Sequence, residues 1–422
     1  MIEWEERPEG IYCSPTISNT TLKNGELTFD KNHIFCISIN MKSPEFTQMR
    51  NESRFGPSIQ DQRGLTAKTA ALEYFNQCDV PFPSYYEWYH ADLTIDGIFR
   101  GNIGVRKKGF LGSIYSIAPS LKINTSKYED APPIGLTQNI TLNNNSEDPS
   151  RVIQCLYYKF FEWANYPAPR CNLANVSING NALGVYSHVE AIDDAFLMRN
   201  FGNSSGDLYE CQLTDFRASW LSRWESKTKS TDDSKYRIAK IAQILSKTPT
   251  NQLLSKLEKY INIKRFIRFW ALEIIINHTD GYTRNSNNTY VYFDPNDNKR
   301  ATFIPTGINY YEEAGDAYYT DLSEFTTAEL PRRLSRCPEA VKMLEDEIYY
   351  LLDSVWNEAA LVGLINHFEG QIKAAERSFY DYYWSNMRHW VESRKELLKE
   401  TLNYEGIPRG NSEPSKICHF ED

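Results

Sequence analysis

Asp280 stands in the loop Asn277-His278-Thr279-Asp280-Gly281-Tyr282, between a long amphipathic stretch ending near Ile276 and a strand pair at 289–305. A carboxylate held between a rigid helix and a hairpin could orient a hydroxyl for attack, which is one of the few things phosphoryl transfer asks of a protein. The other needs are cations against phosphate charge and oxygen ligands for a divalent metal. Lys122, in a strand of the first half, can meet a phosphate with Arg106 and Lys108 as helpers, and Asn288 can offer its amide oxygen to a metal. Each has a plainer reading. Asp-Gly in a loop is most often a turn, and Lys122 alternates with Leu121 and Ile123 as an outward strand residue would. Glu190 is either a strand-end surface charge or a neighbour of the same site.

These residues need elements to hold them. Alternation through Ile34–Ile39 marks a strand, and short β-rich segments separated by Gly or Pro between Trp88 and Lys122 point to an antiparallel sheet. The period then changes: residues 148–164 read as a helix with Pro149 in its first turn. Residues 176–192 form a hairpin around Asn179-Gly180, followed by a short helix ended by Gly202. The polar segment 212–236 reads as a surface loop, and helices are expected over 233–246, 250–276 and 338–402, around the hairpin at 289–305. The expected class is α+β. Its organisation is an N-terminal extension (1–29), a β-rich first lobe with one long helix (30–205), a linker (206–236), a helical second lobe carrying the Asp280 loop and hairpin (237–402), and a tail (403–422).

The sequence resembles the spore coat protein H (CotH) kinase family. Its members carry Asn-Trp-Asp-Gly-Tyr and then paired Asn before Tyr-x-Tyr, and this chain has the Asp280 loop followed by Asn287-Asn288-Thr289-Tyr290-Val291-Tyr292. Further similarities run in the same order along residues 30–402: GVRKKG (104–109), PSLKIN (119–124), ITLNNNSEDPSRV (140–152), the Pro-Ala-Pro to Glu190 run within 165–193, GDLYE (206–210) and RKELLKETL (394–402). The resemblance implies a two-lobed atypical protein-kinase-like fold, ATP with Mg²⁺ or Mn²⁺, and transfer to Ser or Thr of a protein. It implies Asp280 as the catalytic carboxylate, Arg106, Lys108, Lys122 and Glu190 near the nucleotide, and Asn288 and Asn309 near the metal.

The chain also departs from that pattern. Where the family has Pro-Trp-Asp-x-Asp after the hairpin, this chain has Pro305-Thr306-Gly307-Ile308-Asn309, so both carboxylates are missing. Gln154 replaces a helix Glu, and Glu210 replaces a Lys. Glu312, Glu313 or Asp316 could supply a carboxylate from downstream, and Asp at 307 and 309 would be expected to restore the metal site. The alternative is a pseudokinase that binds nucleotide or a protein partner, with aromatic runs such as 85–90 and 378–384 as contacts or, for the latter, as a buried helix face.

Composition narrows the field. A net charge of −9 argues against nucleic acid as a partner, and no apolar run approaches the ~20 residues that span a bilayer. Residues 1–20 lack the features of a signal peptide. The eight cysteines contain no CxxC pair, which speaks against a zinc ribbon, while their even number and nine Asn-x-Ser/Thr sequons favour an extracellular or cell-surface setting.

Overall fold

The computed structural model describes residues 29–52, 54, 81, 84–109, 117–129, 138–228, 235–309, 320–376 and 381–411. Seven strands, β1 (Phe35–Asn40), β2 (Tyr89–Ile95), β3 (Ile98–Lys107), β4 (Leu121–Asn124), β5 (Asn139–Asn143), β6 (Cys171–Ile178) and β7 (Asn181–Glu190), close into a barrel in the order β1-β2-β3-β4-β5-β7-β6. Sequence pattern points to an antiparallel sheet and is silent on its closure. Closure comes from one parallel pairing, β1 with β6, between segments far apart in the chain, which alternation within a strand cannot reveal. Every other neighbouring pair in the barrel is antiparallel. The inward positions, among them Ile37, Leu93, Val105, Leu121 and Ile123, make a dry core of their own.

A second sheet has the order β11-β10-β8-β9, from β8 (Asp207–Cys211), β9 (Glu225–Ser226), β10 (Thr289–Asp294) and β11 (Arg300–Pro305). Around it pack α4 (Tyr236–Lys247), α5 (Thr250–Leu257), α6 (Ile263–Ile275), α8 (Glu329–Leu334), α9 (Pro338–Ser354), α10 (Glu358–Ala375) and α11 (Asp381–Glu405), after the earlier α1 (Ser43–Asn51), α2 (Ile153–Trp163) and α3 (Asp194–Phe201) and the single turn α7 (Tyr282–Asn285). The chain is thus mixed α and β, as expected. No described helix is long and apolar enough to cross a membrane.

The long first-half helix starts at Ile153 rather than 148. Asp148 is fully buried, and its carboxylate accepts the backbone N–H groups of Ser150 and Ile153, both at 2.9 Å, so the chain turns once more before the helix begins. A disulfide, Cys155–Cys171, ties α2 to β6. The free cysteines among the described residues, Cys211 and Cys337, are buried. Phe160 meets Trp356 edge to face and Tyr157 lies against Trp390, which joins α2 to the core of the C-terminal helices. Trp384, from the 378–384 aromatic run, is fully buried and donates to the Ser150 carbonyl at 2.9 Å, as a core-facing helix residue would.

The segment 212–228 is not a solvated loop. Its polar average hides Phe216, Trp220 and Trp224, each buried, and large rings of this kind outweigh several exposed polar residues in deciding where a segment packs. Asp215 is buried with them and holds the Asp280 loop, as described next.

Candidate active site

The loop carrying Asp280 is built by α6. Asn262 caps the helix, its side chain accepting the Arg265 N–H at 3.1 Å, and Ile263, Phe266, Ile267, Trp270, Ala271 and Ile274 form the buried stripe. At the other end Arg394 of α11 donates to the carbonyls of Ile274 (2.6 Å) and Ile275 (2.7 Å) and to Thr320 Oγ1 (2.6 Å). Both carbonyls lie in the last turn of the helix, where that of Ile274 also accepts the Asn277 N–H at 3.1 Å, and a guanidinium suits the negative end of the helix. Beyond α6 the chain folds back on Glu273. This fully buried carboxylate accepts the N–H of Tyr282 (3.0 Å), the N–H of Thr283 (2.8 Å) and the Thr283 hydroxyl (2.6 Å). Asp215 supports the same turn, accepting from the Tyr282 hydroxyl at 3.0 Å, the Ser286 hydroxyl at 3.3 Å and the Glu329 N–H at 2.7 Å.

Gly281 is needed at this fold-back. A Cβ there would sit 2.4 Å from Glu273 Oε1 and 2.6 Å from His278 Nδ1, and both side chains are buried without room to retreat. Gly281→Ala is therefore expected to lower stability by about 1–3 kcal/mol, the usual cost of overpacking, and a denaturant titration of both proteins measures it.

Three amides meet the Asp280 carboxylate: Asn285 Nδ2 donates to Oδ1 at 2.5 Å, Asn287 Nδ2 to Oδ1 at 3.1 Å, and Asn288 Nδ2 to Oδ2 at 2.5 Å. Asn288 also donates to the Asp280 carbonyl at 3.0 Å. The Asn288 Oδ1 lies over Gly307, 2.3 Å from where a Cβ would stand, and Gly307 has φ +61°. An aspartate at 307 would strain the backbone and collide with Asn288, so the expectation that carboxylates at 307 and 309 would together rebuild a metal site does not hold for position 307.

All seven residues singled out from the sequence, Arg106, Lys108, Lys122, Glu190, Asp280, Asn288 and Asn309, line one cavity of about 860 Å³. One wall is the outer face of β3, β4, β5 and β7; the other is made by β8, β9, β10 and the Asp280 loop. The alternation that made Lys122 look like a surface residue is real, but the outer face of the barrel here is the cavity wall. Arg106 and Lys122 stand directly opposite each other in the β3–β4 register. Neither they nor Lys108 has an ion-pair partner within 4 Å among the described residues. Burial first, and the neighbouring Lys122 next, brings the Lys108 ammonium from 10.5 to about 8; burial and Arg106 lower Lys122 as well. Lys107 points the other way, fully buried, and donates to the carbonyls of Arg50, in the last turn of α1, and of Glu52, just after it.

Glu190 lines the cavity, yet its carboxylate is already engaged. Arg170 donates to Oε1 at 2.8 Å and Arg199 to Oε2 at 2.5 Å. Glu210 is also held: Lys227 meets it at 2.6 Å and Gln212 at 2.7 Å. Burial alone would raise its pKa, but Lys227, Arg54 and Lys122 outweigh that and hold the carboxyl below its usual range. Gln154 is buried in the cavity wall and accepts from Asn143 at 3.1 Å.

The sequence reading passed over Glu147. It lines the cavity beside Asn309, whose Nδ2 lies 3.4 Å from Oε2, and burial together with the Asp280 charge raises its pKa. The signal was one residue away: the acidic pair Glu147-Asp148 was read through its second member, which proves to be a buried turn-forming group. Glu312, Glu313 and Asp316 lie outside the described residues. Among the described residues no three His, Cys, Asp or Glu side chains cluster closely enough to hold a metal by themselves.

A family model described as CotH kinase protein matches residues 99–403, more than two-thirds of the chain and every element that lines the cavity except the residues around Arg54 and Ser84. The chain belongs to the CotH kinase family. CotH relatives resemble it at low identity. Inner spore coat protein H of Bacillus subtilis is 23% identical over 218 residues, covering 49% of this chain and 57% of that protein. Invasin CotH3 of Rhizopus delemar is 23% identical over 198 residues, covering 42% of this chain and 33% of the invasin. The match thus spans little more than half, or only a third, of these CotH proteins' own length.

Proposed function

We propose that this protein binds ATP in the cavity and transfers the γ-phosphoryl group to a Ser or Thr hydroxyl of a protein substrate, as an atypical kinase with the barrel as one lobe and the helical part as the other. The cross-strand pair Arg106 and Lys122, with Lys108 beside it, carries this reading. Like charges directly opposite on neighbouring strands are destabilising, and here they are half-buried with no carboxylate within ion-pair distance among the described residues. Glu210, whose charge acts on all three, is itself held by Lys227, which suits a ligand that brings several further negative charges. Asp280, on the other wall, has the role of orienting the acceptor hydroxyl. Its amide partners fix the carboxylate's direction while leaving lone pairs for a further hydrogen bond.

The donor set suits a divalent ion shared with the phosphates rather than one caged by protein. Mg²⁺ is commonly held through one or two carboxylates plus phosphate oxygens; Glu147 offers a carboxylate, with Asn288 and Asn309 as amide oxygen donors. Bound there, the ion would offset charge developing between the phosphates. Because Lys108 titrates near 8, it is charged below that pH and neutral above it, so ATP affinity is expected to fall as pH rises through 8. The slope should approach tenfold per pH unit at most, read by calorimetric titration from about pH 7 to about pH 9.

Incubation with γ-labelled ATP, Mn²⁺ or Mg²⁺ and a mixture of Ser/Thr-bearing proteins tests the proposal. Label transfer to Ser or Thr supports it, and ATP binding without any transfer removes the catalytic half. That second outcome is the pseudokinase reading, which one observation favours: Gly307 and Asn309 stand where carboxylates are expected.

A further inference from the structure

A second cavity of about 790 Å³ lies behind the first, between the Pro167-Ala168-Pro169 strap, the end of α3, the first two turns of α6 and the middle of α9. Five cations from three separate segments line it: Arg170, Arg199, Lys264, Arg265 and Arg268. The wall holds three acids, Glu162, Asp346 and Glu347. Two of them are already paired with lysines that do not line the groove, Glu162 with Lys159 at 2.6 Å and Asp346 with Lys342 at 2.8 Å, and Glu347 is taken by Arg268 at 2.5 Å. Lys264 is exposed and has no ion-pair partner among the described residues, and the carboxylate nearest Arg265, Asp294, is at 4.0 Å. A groove with a cationic surplus stands out on a chain of net charge −9. Ile267, Met343 and the two prolines give it an apolar floor that a lone inorganic anion would not use.

We propose that this groove docks an acidic, extended peptide segment of a protein partner. Carboxylate side chains spaced along such a segment would meet Lys264 and Arg265 at one end and, at the other, Arg170 and Arg199, two guanidiniums that share the single carboxylate of Glu190, while its backbone and methylene groups cover Ile267 and Met343. The groove does not depend on what the first cavity binds. The two share a partition at Glu190, which lines the first cavity while Arg170 and Arg199, which hold its carboxylate, line the second.

Fluorescein-labelled hexaglutamate, followed by anisotropy at low ionic strength with the full chain, tests the inference. Saturable binding is expected, weakening steeply with salt, about 5–10-fold weaker in Lys264→Glu, and absent for labelled hexalysine. Lys264 is exposed and has no ion-pair partner among the described residues, so this variant should fold, and an unchanged denaturation midpoint would verify that it does. The inference is overturned if hexaglutamate does not bind, if Lys264→Glu binds it as tightly as the wild type, or if millimolar inorganic phosphate alone displaces it completely.

Discussion

Asp280→Asn is expected to lower phosphoryl transfer by about 10²–10⁴-fold, the range associated with loss of a positioned general base, while ATP affinity changes less than about twofold. The asparagine is nearly isosteric, but it replaces one acceptor oxygen by an NH₂ group. That group would face the amide donors of Asn285, Asn287 or Asn288, so the side chain can no longer both satisfy them and accept from a substrate hydroxyl. The split between turnover and binding is the informative part. A residue needed only for folding would lower both through loss of folded protein, whereas a residue acting in the transition state lowers turnover alone. Steady-state rates and calorimetry on one preparation separate the two, and equal turnover in variant and wild type contradicts the role.

Arg394→Met should produce the largest loss of stability, about 2–5 kcal/mol. The methionine fills part of the volume but leaves the Ile275 carbonyl without the guanidinium, at a desolvation cost of about 1–3 kcal/mol. It also takes one donor each from the Ile274 carbonyl and the Thr320 hydroxyl, which keep Asn277 as a partner, at a smaller cost. Because these carbonyls end the helix that positions Asp280, ATP binding and turnover should fall in proportion to unfolding at each denaturant concentration. Guanidinium titration followed by tryptophan fluorescence gives the size of the effect. A midpoint within error of the wild type would mean that the end of α6 is held by other contacts.

The elements around Asp280 were legible because local rules govern them. The stripe of α6, the Asn179-Gly180 hairpin turn, whose residues both have positive φ, and the β10–β11 hairpin each follow from periodicity or turn chemistry over a few residues. Long-range facts were not legible. Nothing in alternation says that β1 pairs with β6, that the polar face of β4 looks into a cavity rather than solvent, or that Glu190 has two arginines to itself. The same limit explains Glu147 and Glu210. Their roles depend on Asn309 and Lys227, residues distant in sequence that only the fold brings alongside. One of the sequons that suggested an extracellular setting, at Asn175, is buried in β6, whereas the Cys155–Cys171 disulfide independently suits an oxidising compartment.

The central claim is that the cations on the outer face of β3 and β4 exist to hold nucleotide phosphates. Calorimetric titration of ATP into wild type and Lys122→Ala, each with and without Mg²⁺, tests it most directly. Removing one charge-assisted contact to phosphate should weaken ATP binding by more than about tenfold, and should leave adenosine binding, which involves no phosphate, unchanged. No ATP binding by the wild type under either condition, or the same affinity in Lys122→Ala, would contradict the account.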